Sequence, residues 1–132
     1  MATNDDGNPM RVNGITYLQI PAPDPRRSGD FYHSVFGWDL RGHPDQHLSF
    51  SDSTGHVIGA FIRDLPVAGE SGLLPYVFVQ NVDDTLATVI ANGGEIVKEP
   101  YPEPPDAEEH LTVATFRDVA GNVVGLWQTG SP

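Results

Sequence analysis

Few side chains in this 132-residue chain can move a proton: five histidines, four tyrosines and the carboxylates. Cysteine is absent, which excludes disulfides and thiolate metal sites and leaves the redox compartment open. Acid–base chemistry needs a His, Tyr or carboxylate within hydrogen-bond reach of the reacting proton. Tyr17, Tyr76, His47 and His110 are the catalytic candidates on that ground. Arg63 and Arg117 can each grip a carboxylate with two parallel hydrogen bonds, although most arginines serve in surface ion pairs. The histidines do not form a metal site by spacing, since no pair stands at i, i+4 of a helix or i, i+2 of a strand. His43 and His47, on either side of a turn, come nearest; His33 falls in the helical stretch "DFYHSVFG" and His56 follows a turn glycine toward solvent. No Ser-His-Asp or phosphate-loop pattern is present.

Charge narrows the partners. The formal net charge is −11 and Lys98 is the single lysine, a balance that disfavours nucleic acid and anionic membrane. No run of about 18 apolar residues exists to span a bilayer. The opening "MATNDDGNPM" lacks a basic and apolar signal pattern and reads, over 1–12, as a disordered tail of a cytoplasmic protein.

The elements that must position these residues repeat. "GITYLQIP" (14–21) is a strand with Ile15, Tyr17 and Gln19 on one face and Thr16, Leu18 and Ile20 on the other. A helix follows, with Asp24 as N-cap, Pro25 in its first turn, Phe31, Val35 and Phe36 at helical spacing, and Gly37 as its stop. Strands are expected near 38–42, 47–51 and 56–63, separated by the turn signals "GHPD" and "DSTG". The order then restarts: a strand at 73–80 and a helix at 81–94 capped by Asp83, with Leu86, Val89 and Ile90 as its buried stripe. Strands near 95–99, 111–117 and 123–128 complete it.

The first strands superimpose by a shift of 59, Tyr17 on Tyr76, and the closing hairpins "FSDSTGHVIGAF" and "FRDVAGNVVGLW" by a shift of 66, Gly59 on Gly125. A repeat of this size is a duplication within one domain. The chain is therefore α+β, with two βαβββ units at about 13–64 and 73–129 forming a single domain over 13–130. The segment "YPEPPDAEEH" (101–110), with three prolines and four acidic residues, reads as a loop, either a lid over a site or a solvated connector.

"DPRRSGDFYHSVFGW" and "FRDVAGNVVGLWQ" resemble the first helix and the closing hairpin of the vicinal oxygen chelate superfamily. That group includes glyoxalase I, extradiol dioxygenases, fosfomycin-modifying enzymes and bleomycin-binding resistance proteins. With the two βαβββ units, the resemblance covers about residues 13–129. It implies a cup-shaped or barrel-like mixed sheet with helices outside, and a homodimer. It also implies four metal-ligand slots, on the first and last strands of each unit. They fall on Ile15, Gly59, Leu74 and Gly125, none of which carries a donor atom, and a shift of one residue brings in only Thr16. The expectation is no metal and no other cofactor.

The faces bearing those slots carry Tyr17, Gln19, Tyr76 and Phe78 from the first strands, and Val57, Phe61, Arg63, Val123 and Trp127 from the last. The ligand-binding candidates are Tyr17, Gln19, Phe61, Arg63, Tyr76, Phe78 and Trp127, a set suited to a flat, partly apolar molecule. The same aromatics can equally fill a closed core. A metal-free binder of a small, aromatic or partly apolar molecule is the first reading. Its alternative is an enzyme: an isomerase, cyclase or lyase acting by acid–base chemistry on an enolisable compound. A metal-dependent lyase or dioxygenase with relocated ligands is the third.

Overall fold

The computed structural model describes residues 11–70, 72–105, 108 and 110–131. The chain divides into two compact units with the boundary between Pro66 and Val67. All but Arg11 and Val12 of the expected tail lies outside the described residues, as do 106, 107 and 109 of the acidic loop.

The first unit runs β1 (Tyr17–Pro21), α1 (Pro25–Phe36), β2 (Asp39–His43), β3 (His47–Ser51) and β4 (Ile58–Ile62). Its sheet has the order β1-β4-β3-β2, with β1 parallel to β4 and the other pairs antiparallel. The helix begins and ends where its sequence signals stand. Asp24 accepts the Arg27 N–H at 3.3 Å, Pro25 follows, and Gly37 closes the helix in the left-handed region with its N–H on the His33 carbonyl at 2.8 Å. The core of this unit is aromatic. Tyr32, wholly buried, stacks on Trp38 at 4.7 Å between ring centroids; Trp38 stacks on Phe50 at 4.7 Å, and Phe50 meets Phe61 at 5.2 Å. His33 bonds the Trp38 carbonyl through Nδ1 at 2.8 Å, a structural role beside this stack.

The second unit repeats the order: β5 (Tyr76–Phe78), α2 (Val82–Ala91), β6 (Glu95–Glu103), β7 (Leu111–Arg117) and β8 (Val123–Thr129), in a sheet ordered β5-β8-β7-β6. Neither sheet closes into a barrel by itself. Four expectations are corrected here. Asn81, not Asp83, caps α2, accepting the Asp84 N–H at 2.9 Å, which leaves Asp83 and Asp84 in the first turn near the positive end of the helix. The buried stripe is Val82, Leu86 and Val89, at i, i+4 and i+7; Ile90 falls off it and is 54% exposed. Residues 101–103 are strand, not loop. β6 is an edge strand with two register irregularities, and an edge tolerates Pro100 and Pro102 because one side of it needs no donor. β5 is shorter than expected because Pro75 precedes it, its carbonyl accepting the Gly125 N–H at 2.9 Å.

The two closing turns differ in length. In the second unit the Asp118 N–H reaches the Asn122 carbonyl, four residues on; in the first the Asp52 N–H reaches Val57, five residues on. Asn122 makes the shorter turn. Asp118 Oδ1 accepts the Ala120 and Asn122 N–H groups, both at 2.9 Å, while Asn122 Nδ2 donates to Asp118 Oδ2 and Asn122 Oδ1 accepts the Ala68 N–H. His56, at the equivalent place, cannot supply that amide pair and instead meets Arg11 at 3.3 Å. No helix among the described residues is long and apolar enough to cross a membrane.

Candidate functional site

On the first sheet, Tyr17 pairs with Ile58 and Gln19 with Ala60, so these share the face turned away from α1. Ser49, Ser51 and His47 of β3 alternate onto it. Phe61 does not. It pairs with Ile20, is 3% exposed and lies 5.9 Å from the Tyr32 ring, so it belongs to the core beneath α1. Gly59, two residues earlier, faces the same way. The extra residue in the Asp52–Val57 turn produces this result, because a slip of one position sends every side chain of a strand to the other face. Tyr17 and His47 lie two strands and four residues apart, roughly 16 Å, too far to share one proton transfer.

Arg63, just beyond β4, donates to the Pro44 carbonyl at 2.9 Å and the Pro23 carbonyl at 3.5 Å. It ties the β2–β3 turn to the segment leading into α1. Arg63→Ala is expected to lower stability by about 1 kcal/mol with no change in the denaturant slope, measured by urea unfolding.

The face of the second sheet turned away from α2 is richer. Tyr76 pairs with Gly125 and Phe78 with Trp127, and the Phe78 and Trp127 rings lie 4.6 Å apart. Across the sheet follow Val113 beside Trp127, Tyr101 beside Val113 and Glu103 beside Leu111. Tyr76, Tyr101, Glu103, Leu111, Val113 and Trp127 line an open cavity of about 380 Å³. Tyr101, Glu103, Leu111 and Val113 were absent from the sequence-level candidates. The prolines hid Tyr101 and Glu103, because they make the segment read as a loop. A Cβ at Gly125 would overlap the Tyr76 ring, so this glycine makes room for a tyrosine lying across the sheet.

The Tyr76 hydroxyl is hydrogen bonded to Tyr101. Its pKa is raised above 10.0, chiefly by burial and then by Tyr101, with Glu103 adding to the rise and Lys98 opposing it. Tyr76 is therefore a neutral donor at physiological pH and a poor base. Because the folded-state pKa is the higher one, the stability it contributes is fully present below pH 10.0 and declines as pH rises from there through the folded value. Absorbance titration of the phenols should show one tyrosine ionising later than free tyrosine, and Tyr76→Phe should delete that late phase.

His110 stands at the other end of the face, its Nε2 3.3 Å from Ser131 Oγ. With Glu103, Glu108, Leu111 and Thr129 it lines a second open cavity of about 710 Å³. Five residues of strand separate it from the Tyr76 level, again roughly 16 Å.

The residues do not fit a metal. Ile15 precedes β1 and is 87% exposed, Leu74 precedes β5, and Gly59 faces the core. The outward residues on β4 are Ile58 and Ala60, equally without donor atoms. Among the described residues no three His, Asp or Glu side chains group closely enough to hold an ion.

Residues 14–126 match the family model of the Glyoxalase/Bleomycin resistance protein/Dioxygenase superfamily. Solved structures of similar fold include a glyoxalase/bleomycin resistance protein/dioxygenase family enzyme from Burkholderia phytofirmans PsJN, at 20% identity and TM-score 0.69, covering 87% of this chain and 98% of that one. A glyoxalase/bleomycin resistance protein/dioxygenase from Alicyclobacillus acidocaldarius is similar at 14% identity and TM-score 0.66, covering 90% and 93%. TioX from Micromonospora sp. ML1 is similar at 22% identity and TM-score 0.60, covering 87% and 98%. No curated protein matches the sequence. With two βαβββ units in order and a family match over most of its length, the chain belongs to the glyoxalase/bleomycin resistance protein/dioxygenase superfamily.

Proposed function

We propose that this protein binds a small, planar, partly apolar molecule on the face of its second sheet turned away from α2, without a metal in the recognition. One observation carries the reading: Tyr76, Tyr101 and Trp127 surround an open cavity of about 380 Å³ with few polar groups, a composition typical of small-molecule sites. Tyr17 and Gln19, exposed on the first sheet, are secondary candidates.

Catalysis is less well supported. Within neither unit do two of Tyr17, His47, Tyr76 and His110 approach one another, and the raised Tyr76 pKa suits donation more than proton abstraction. The protein is taken to be a cytoplasmic homodimer, whose mass light scattering would report; a monomer at micromolar concentration would remove that part.

Trp127 supplies the test. Titration of planar aromatic compounds should quench tryptophan emission in the wild type and much less in Trp127→Phe, because Trp38 is buried in its stack. Native mass spectrometry of the purified protein should show small organic adducts and no stoichiometric metal. Bound metal at one per chain, or quenching that survives Trp127→Phe, would count against the reading.

A further inference from the structure

Thr115, in the middle of β7, is 4% exposed, and its Oγ1 has no hydrogen-bond partner among the described residues. A buried unpaired hydroxyl is costly, and valine would fill the same shape without that cost. Thr115 alternates with Ala114 and Phe116, both fully buried in the layer beneath α2, so its side chain belongs to the opposite face. Its cross-strand partners there are Gly125 and Lys98.

Tyr76 and Tyr101 stand on the two edge strands of this sheet. Tyr76 is level with Thr115 and Tyr101 with Val113, so three strand spacings and a two-residue offset separate them, roughly 16 Å, which two extended tyrosine side chains and one hydrogen bond span. The bridge they form crosses β8 and β7. The Tyr76 ring lies against Gly125, directly beside Thr115. The orphan hydroxyl thus sits at the Tyr76 end of the diagonal that the bridge crosses.

The charges on this face are polarised. Lys98 is the exposed partner of Thr115, and Glu103 is the partner of Leu111 at the far end. Arg117, the next outward residue on β7, is engaged by Glu95 at 3.4 Å and Glu70 at 3.6 Å. An anionic group is therefore repelled at the Leu111 end and attracted toward Lys98 and Thr115.

We propose that the Tyr76–Tyr101 bridge is a gate over a subsite floored by Gly125, and that the ligand is a planar, partly apolar acid whose carboxylate meets the Thr115 hydroxyl and the Lys98 ammonium. This rests on the reading of the face as a small-molecule site and adds the ligand's chemical class. The apolar body lies against Trp127 and Val113, and swinging Tyr76 aside admits the acid group.

The test uses 2-naphthoate and its neutral counterpart 2-naphthamide, titrated against the full chain by calorimetry and Trp127 emission. Naphthoate is expected to bind more tightly than the amide. Thr115→Val should weaken naphthoate about tenfold and Thr115→Ser should recover most of it, while Lys98→Met should weaken naphthoate about threefold and leave the amide unchanged. Tyr76→Phe keeps the ring but removes the bridge, so naphthoate association should quicken about threefold in stopped flow. Equal binding of both probes, or naphthoate affinity unmoved by both Thr115→Val and Lys98→Met, overturns the acid subsite and leaves the small-molecule reading standing. An unchanged association rate in Tyr76→Phe overturns the gate. Binding of neither probe to the wild type removes the small-molecule reading and the subsite together.

Discussion

Gly59→Ala should lower the stability of the protein by about 3 kcal/mol, and Gly125→Ala by only about 1 kcal/mol, although the two glycines occupy the same place in the repeated hairpin. The obstacles differ. A Cβ at Gly59 would overlap the Leu18 carbonyl oxygen, which is backbone of the neighbouring strand, and the Phe50 ring. Phe50 is 2% exposed and wedged between Trp38 and Phe61, so neither obstacle can retreat without moving β1 or breaking the aromatic stack. A Cβ at Gly125 would overlap only the Tyr76 side chain, which is 42% exposed and stands on an edge strand. It can turn outward, losing its bond to Tyr101. Urea unfolding of the two variants decides the matter, and equal losses would mean that the Phe50 environment yields as readily as Tyr76. Gly125→Ala should also displace Tyr76 from the face, so its effect should appear in ligand binding more than in stability.

Asp118→Ala should cost about 3 kcal/mol, and Asp118→Asn about half of that. Asp118 is 3% exposed and its carboxylate accepts the Ala120 and Asn122 N–H groups and the Asn122 side-chain amide. Alanine leaves these buried donors without an acceptor. Asparagine keeps one oxygen for the two backbone N–H groups but sets its amide nitrogen against that of Asn122. If Asn122 flips to relieve this, its oxygen leaves the Ala68 N–H, now bonded at 2.8 Å. Hydrogen exchange should therefore show the Ala68 amide less protected in both variants. A loss under about 1 kcal/mol for Asp118→Ala would show that water replaces the carboxylate in this turn.

Much of the architecture was legible because it is coded locally. Asp24, Pro25 and Gly37 delimit α1 through groups within a few residues of one another, and the alternation in β1 correctly separates Tyr17 and Gln19 from Leu18 and Ile20. Where two local signals competed, the choice was made elsewhere in the fold. Asn81 outcompetes Asp83 because the next residue, Val82, gives its N–H to Gln128 of β8 at 2.7 Å, fixing where the helix starts. The prolines around Tyr101 argued for a loop because only the sheet order reveals that β6 is an edge.

The candidate site divides in the same way. Alternation along the chain determined that Tyr76 and Phe78 would share a face of their strand, and the pairing of β5 with β8 decided that Trp127 joins them. The chain's residues also determined that the expected ligand positions lack donor atoms, and that a shift of one residue brings in only Thr16. The face on which Gly59 and Phe61 lie was decided only in three dimensions. One extra residue in the Asp52 turn shifts β4 against β3, and a one-residue shift in a strand reverses inside and outside. Turn length depends on whether Asn122 or His56 can close the hydrogen bonds, and the bridge from Tyr76 to Tyr101 depends on which strands become edges. Local sequence sets the period of each strand; the pairing between strands sets its phase, and the phase decides which residues a ligand can meet.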